Sequence, residues 1–335
     1  MKNKVIIIAE AGQNHNGKIR NAYKLVDIAK NCGADFIKFQ TSIPELHISK
    51  FAKKAKYQKI NSPNSKTHLE MSKKLALKYK DFLKIKKYCE KRKIDFLSTP
   101  AESKSINFLK TFKMKYFKIG SGEVNNLLYL TKIGKLKKKV ILSTGMSTMS
   151  EIKRAINILT WNGTRKKNII VLQCNSEYPT PFKDANIKAM ITIKKKFGVN
   201  VGFSDHTKGI EASLAAVALG AKVIEKHITI DKKLLGPDHK ASINPKELKE
   251  MVRSIRNISI ALGNGKKIIT NSERKNIKIV RPSIVAASEI KKGERFSRKN
   301  LTVKRPGTGI SPMNFFKIIG KTAKRNFIED EIIKV

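Results

Sequence analysis

The chain is poor in acidic residues, cysteine and tryptophan, and it has no long apolar run. Only 26 Asp and Glu stand against 71 Lys and Arg in 335 residues, a formal charge of +45. Such a balance normally suggests a polyanion partner. Here, however, the lysines are spread through every helical stretch, most densely in KKLALKYKDFLKIKKYCEKRK at 73–93. No zinc-finger spacing, RNA-recognition signature or GXXG loop accompanies them, so a dedicated nucleic-acid reader is not expected. Three cysteines, Cys32, Cys89 and Cys174, lack CxxC spacing and an even count. That argues against a disulfide framework, and for core thiols in a reducing compartment. No run approaches the roughly 18 apolar residues of a membrane span, and the chain enters a strand by residue 5 without a signal-peptide h-region. A soluble, cytoplasmic protein with no membrane partner is expected.

What is present is a rhythm. Eight short apolar runs recur: VIIIAE (5–10), FIKFQ (36–40), DFLSTP (95–100), YFKIGSGE (116–123), VILSTGM (140–146), IIVLQCNSEYP (169–179), VNVGFSDH (199–206) and KVIEKH (222–227). Amphipathic stretches with apolar residues three and four apart separate most of them. The segment 18–32 is one: it puts Ala22, Leu25, Val26, Ile28 and Ala29 on one stripe before Gly33. Further helices are expected near 67–92, 103–112, 126–137, 150–162, 186–197, 209–220 and 245–262. Alternating β and α predicts an α/β fold, a (β/α)8 TIM barrel, over residues 1–263. The long polar stretch 41–66 is expected to lie over the barrel mouth. After Gly263-Asn264-Gly265 the alternation stops. Residues 264–280 read as a linker and 281–335, rich in turns, as a small, mainly β domain.

In such a barrel the strands' C-terminal ends carry the chemistry. Nearly every run here ends in polar residues that are costly to bury without a task. His206 and His227 fall at the ends of strands seven and eight, where paired imidazoles can hold a divalent cation with open positions for substrate oxygens. His15 is a further candidate for the mouth. Lys38 and Lys118 interrupt apolar strands. With Thr99, Ser121, Ser143 and Ser204 they form a cradle suited to phosphate or carboxylate. Glu10 and Glu123 are candidate bases for activating water. No GxGxxG opens a helix after strand one, so no dinucleotide site is expected.

Together IAEAGQNHNG (8–17), KFQT (38–41), KIGSGE (118–123), ILSTGM (141–146), CNSEYPTPF (174–182), GFSDHT (202–207), EKHIT (225–229), GPDHKAS (236–242) and KRPGTGISP (304–312) resemble the N-acetylneuraminate (sialic acid) synthase family over almost the whole chain. The resemblance implies a phosphoenolpyruvate-dependent barrel followed by an antifreeze-like (SAF) domain. It also implies metal-assisted condensation of phosphoenolpyruvate with N-acetylmannosamine and release of phosphate, the metal being Mn2+ or Mg2+. Carried over, phosphoenolpyruvate contacts fall on Lys38, Thr99, Lys118, Ser121, Ser143 and Ser204, with Ser176 where the family can carry Asn or Thr. The metal ligands fall on His206 and His227, and the base on Glu10. Gln40, Glu123, Tyr178 and Asp238 lie close to the sugar or phosphate. Arg305 matches an arginine that reaches across a homodimer to the sugar's N-acetyl group. The leading implication is an N-acetylneuraminate synthase. A synthase for the related nonulosonate legionaminic acid differs only in the sugar pocket, and a polyanion-binding protein on a barrel scaffold is the alternative of another class.

Overall fold

A computed structural model describes residues 4–335. Two compact units divide the chain after Gly263. In the first, eight parallel strands are β1 (Ile6–Gly12), β2 (Phe36–Thr41), β3 (Asp95–Pro100), β4 (Phe117–Ile119), β5 (Val140–Ser143), β6 (Ile169–Cys174), β7 (Asn200–Asp205) and β8 (Val223–His227). Their ladder runs β3-β2-β1-β8-β7-β6-β5-β4, and β3 and β4 lie side by side to complete the cylinder. Val, Ile and Phe dominate the strands because both faces are covered, one by the barrel interior and one by helices. Gly202 marks the tightest approach: a Cβ there would stand 2.3 Å from the Val223 carbonyl oxygen, so only glycine lets β7 and β8 pack.

The helices of this unit are α1 (Ile19–Asn31), α2 (Lys56–Asn61) and α3 (His68–Leu75) in the excursion after β2, α4 (Tyr79–Arg92), α5 (Ser103–Lys110), α6 (Leu127–Lys135), α7 (Met149–Trp161), α8 (Ala189–Phe197), α9 (Glu211–Ala218) and α10 (Pro245–Ala261). Helix α1 buries Ala22, Leu25, Val26 and Ala29, with Ile28 half-buried at the edge of the stripe. Removing Leu25 or Val26 from water is worth about 1.5–3 kcal/mol each. Capping boxes fix two helix starts, Thr148 with Glu151 for α7 and Asn244 with Glu247 for α10.

The single helix expected over 67–92 is two. Ala76 turns extended (ψ 133°), Leu77 enters the barrel core, and the Lys78 amide donates to Asp81 to start α4. Burying one leucine outweighs continuing the helix through it. The stretch 41–66 is likewise structured, holding a 3-10 turn (Pro44–Leu46) and α2.

The second unit, Asn264–Val335, pairs β9 (Ser283–Ala286) antiparallel with β10 (Leu301–Lys304). Ile284, Ile290, Phe296, Leu301, Phe327 and Ile333 form its own core, in which the Phe296 and Phe327 rings meet edge to face at 5.9 Å. The stretch read as a linker contains α11 (Asn271–Val280), whose start is capped by Thr270 and Glu273; a short α12 (Phe315–Ile318) lies between β10 and the C-terminus. Among the described residues, no helix is long and apolar enough to cross a membrane.

Candidate active site

Parallel register places the polar strand ends at one level. Glu10 sits opposite both Lys38 and His227, Gln40 opposite Thr99, and Ser204 opposite both Cys174 and Glu225. They surround a cavity of about 400 Å3 at the C-terminal end of the barrel. Glu10, Lys38, Gln40, Thr99, Lys118, Ser121, Ser143, Ser176, Tyr178, Ser204, His206 and His227 all line it. The excursion after β2 adds His47, Ala55 and Tyr57, and the Tyr57 ring stacks on Tyr178 at 5.2 Å.

Four candidate residues stand elsewhere, His15 among them. Glu123 does not line the cavity; it lies in the 3-10 turn Ser121–Glu123 and accepts a 2.6 Å hydrogen bond from Asn126. β4 ends at Ile119, and after the turn that follows Glu123 lines a neighbouring cavity with Asn126 and Tyr129. Asp238 is buried behind the rim, its Oδ2 3.9 Å from His227 Nδ1. Arg305 belongs to the second unit, where it is exposed and precedes a cis proline.

The floor of the cavity is a buried charge network. Lys38 Nζ is 2.8 Å from Glu10 Oε2, 3.7 Å from Glu225 Oε2 and 3.2 Å from Thr99 Oγ1, to which it donates. Lys118 Nζ is 3.2 Å from Glu225 Oε1, which also accepts from Ser204 Oγ at 3.1 Å. Gln40 donates to the other Glu10 oxygen at 3.3 Å. Burial disfavours every charge here, and the outcome differs with the number of partners. Lys38 is pushed down by burial, but two carboxylates outweigh this and leave it raised. For Lys118, burial, aided by the like charge of Lys38, outweighs Glu225 and Glu10, so its pKa is lowered. Burial raises Glu10 despite Lys38. Glu225 lies between two lysines that overcome its burial and bring it to about 2. Glu225 was missing from the sequence reading because it stands mid-strand between Ile224 and Lys226, with only inward alternation from His227 to signal it. Cys174, read as a core thiol, instead lines the cavity beside Ser121 and His206, 3.8 Å from each.

Beside this floor, Gly145 brings its amide to 2.9 Å from Ser121 Oγ, and a Cβ there would stand 2.2 Å from Ser176 Oγ. The Ser143 hydroxyl is buried without a hydrogen-bond partner. Lysines and hydroxyls together make a pocket for a multiply charged anion.

Lining the same cavity are the imidazoles of His206 and His227, their ring centres 5.4 Å apart. His206 Nδ1 is 2.5 Å from the Asn175 carbonyl oxygen, which directs Nε2 toward Ser204. Burial pushes His206 down, yet Cys174 and that carbonyl reverse the shift and leave it raised. Burial and the neighbouring His206 push His227 well below its ordinary value, and its Nδ1 is buried without a hydrogen-bond partner. A neutral imidazole with an orphaned ring nitrogen beside a second imidazole fits a divalent cation. Among the described residues no group of three His, Cys, Asp or Glu side chains meets ligand geometry, so such a cation would keep most positions for water and substrate. Burial lifts Asp238 to about 6. His15, deep in the turn after β1, is lowered by burial to about 4 and accepts from the Gly17 amide, a structural role.

Fold and site together define a barrel enzyme that handles an anionic substrate at its C-terminal rim. The chain belongs to the NeuB family, whose model matches residues 25–267, and it carries a SAF domain at 281–334. Members are phosphoenolpyruvate-dependent, carbon–carbon bond-forming synthases, so the chain is a transferase of the sialic acid synthase group. It is 52% identical over 331 residues to the N,N'-diacetyllegionaminic acid synthase of Campylobacter jejuni, covering 99% of both chains. Against the human N-acetylneuraminate-9-phosphate synthase it is 37% identical, covering 98% of this chain and 90% of that one. Among solved structures, the sialic acid synthetase of Leptospira borgpetersenii serovar Hardjo-bovis in complex with citrate superposes with a TM-score of 0.73 at 36% identity, over 82% of this chain and 90% of that one.

Proposed function

We propose that this enzyme condenses phosphoenolpyruvate with a di-N-acetylated six-carbon aldose to give N,N'-diacetyllegionaminic acid and phosphate. N-acetylneuraminate synthesis, the leading implication of the sequence motifs, takes second place because the legionaminic relative matches at 52% and the neuraminate-9-phosphate relative at 37%. A nonulosonate has nine carbons and phosphoenolpyruvate supplies three, so the other substrate has six; the product's two acetyl groups must come with it. Ala55, Ala101, Met146 and Tyr57 at the cavity lining suit acetamido and deoxy groups better than a ring of hydroxyls.

The observation that carries this reading is the convergence of Lys38, Lys118, Ser121 and Ser143 on one cavity with two imidazoles. Lys38 and Lys118 would hold the phosphate and carboxylate of phosphoenolpyruvate as electrostatic clamps rather than as Schiff-base nucleophiles. His206 and His227 would hold a Mn2+ or Mg2+ ion, which when bound supplies Lewis acidity toward the sugar aldehyde. The enol carbon of phosphoenolpyruvate then forms the new bond to the aldehyde carbon, and positive charge develops at the phosphate-bearing carbon. Glu10 would take a proton from the water that adds there, a role its raised pKa and its contact with Gln40 support. The two lysines stabilise the phosphate as it leaves. Tyr178 and Asp238 would contact the sugar. Arg305 would reach its acetamido group in the partner subunit of a cytoplasmic homodimer.

A phosphate-release assay with phosphoenolpyruvate and a panel of sugars tests the reading. The di-N-acetylated trideoxyhexose should give a kcat/KM at least tenfold above that of N-acetylmannosamine or its 6-phosphate. A preference for N-acetylmannosamine would restore the neuraminate assignment, and no phosphate with any sugar would end the synthase reading.

A further inference from the structure

Directly behind the two imidazoles lies an ion pair that the cavity does not touch. Asp205 and Lys226 are register partners on β7 and β8, and each is followed by one of the histidines. Because side chains alternate, they face outward from the barrel, toward α9, while His206 and His227 face in. Both side chains are completely buried, with Lys226 Nζ 2.8 Å from Asp205 Oδ2. Lys226 also donates to the Thr207 carbonyl at 2.8 Å. Asp205 Oδ1 accepts from the Thr207 amide at 2.9 Å and hydroxyl at 2.7 Å, and Oδ2 from Ser213 on α9 at 2.6 Å.

Burying two charges between a sheet and a helix is expensive, and well-packed apolar residues at the same places are commonly as stable or more so. What an apolar pair cannot supply is direction. His206 has its own tether, the Asn175 carbonyl, whereas His227 has no hydrogen-bonded partner on Nδ1. Beside the edge of the Tyr178 ring at 5.5 Å and Asp238 at 3.9 Å, the His227 ring is placed through its backbone, held by Ile228 N to Glu10 O and Ile243 N to His227 O on one side. On the β7 side, Asp205 and Lys226 are the last register partners before the rings.

We infer that the Asp205–Lys226 pair is a positioning device that fixes the separation and orientation of the two imidazoles. It locks β8 to β7, to the turn after β7 and to α9. The cation-affinity part of the inference rests on the metal reading above; the ring-ordering part does not. The test uses full-length protein stripped of metal, as wild type, as the double variant Asp205→Asn/Lys226→Gln, and as Ser213→Ala, which removes one hydrogen bond and leaves both charges paired. Mn2+ affinity is read by electron paramagnetic resonance without substrates, and ring order at His206 and His227 by NMR relaxation of labelled imidazoles. The double variant should bind Mn2+ at least tenfold more weakly and show a disordered His227 ring, with Ser213→Ala intermediate at two- to threefold. Should the double variant fail to fold, the Ser213→Ala shift decides alone. Wild-type affinity together with unchanged ring order in the variants overturns the inference. If wild-type protein binds no Mn2+, the metal reading falls, and ring order alone judges the positioning role.

Discussion

Replacing Glu225 by Gln keeps the side chain's size while removing the negative charge shared by two lysines. Lys38 retains Glu10 at 2.8 Å, but Lys118 loses the carboxylate 3.2 Å away. At an effective dielectric of about 20, a pair at that distance is worth about 5 kcal/mol. Lys118 can relieve part of the loss by giving up its proton, since burial already lowers its pKa. The net cost in the empty enzyme should therefore sit near the low end for breaking a buried pair, about 3 kcal/mol. For the barrel's thermal transition that is on the order of 6–12 °C. The same change leaves the cavity more positive, so an entering anion restores what was removed: saturating phosphoenolpyruvate should stabilise the variant by at least about 1 kcal/mol more than wild type. Differential scanning calorimetry of both proteins, with and without phosphoenolpyruvate, measures both effects. A variant melting with wild type and gaining no more from the ligand would show that Glu225 does not counterbalance the cradle lysines.

Chelation of divalent cations should abolish phosphate release while leaving the circular dichroism spectrum unchanged, and full turnover in excess chelator would exclude a cation at His206 and His227. At the other end of the barrel, Asp35 accepts hydrogen bonds from the Ile7 amide at 2.9 Å and from Arg256 at 2.8 Å, tying β2 to β1 and α10. Burial would raise its pKa, but Lys4, Arg256 and the amide lower it. Its contribution to stability is therefore present above the ordinary carboxylate pKa and lost as pH falls below about 4. Asp35→Asn should cost about 1 kcal/mol at pH 7 and flatten the acid limb of stability against pH; an unchanged limb in urea titrations at pH 3–7 would refute this.

The eight strands were legible because each is an apolar run bounded by turn residues, and the outer helices because α1 or α10 shows its buried stripe in the spacing of its apolar residues. The cradle was legible too, since a lysine inside a strand such as Lys38 or Lys118 has few physical justifications. Less visible was anything whose meaning depends on what lies across a gap. Glu225 carries no local signal of its place between two lysines, Cys174 reads as a core thiol, and the sequence does not show that Glu123 and Glu10 line different cavities.

Local sequence thus determined the element order, the polar ends of the strands and the residue types available to a site, because periodicity and burial cost act within a few residues. Tertiary structure alone decided which carboxylate neutralises which lysine, that one helix breaks to bury Leu77, and that the Asp205–Lys226 pair stands behind the imidazoles. Those outcomes depend on distances between segments far apart in the chain, and both charge interactions and packing are set by such distances.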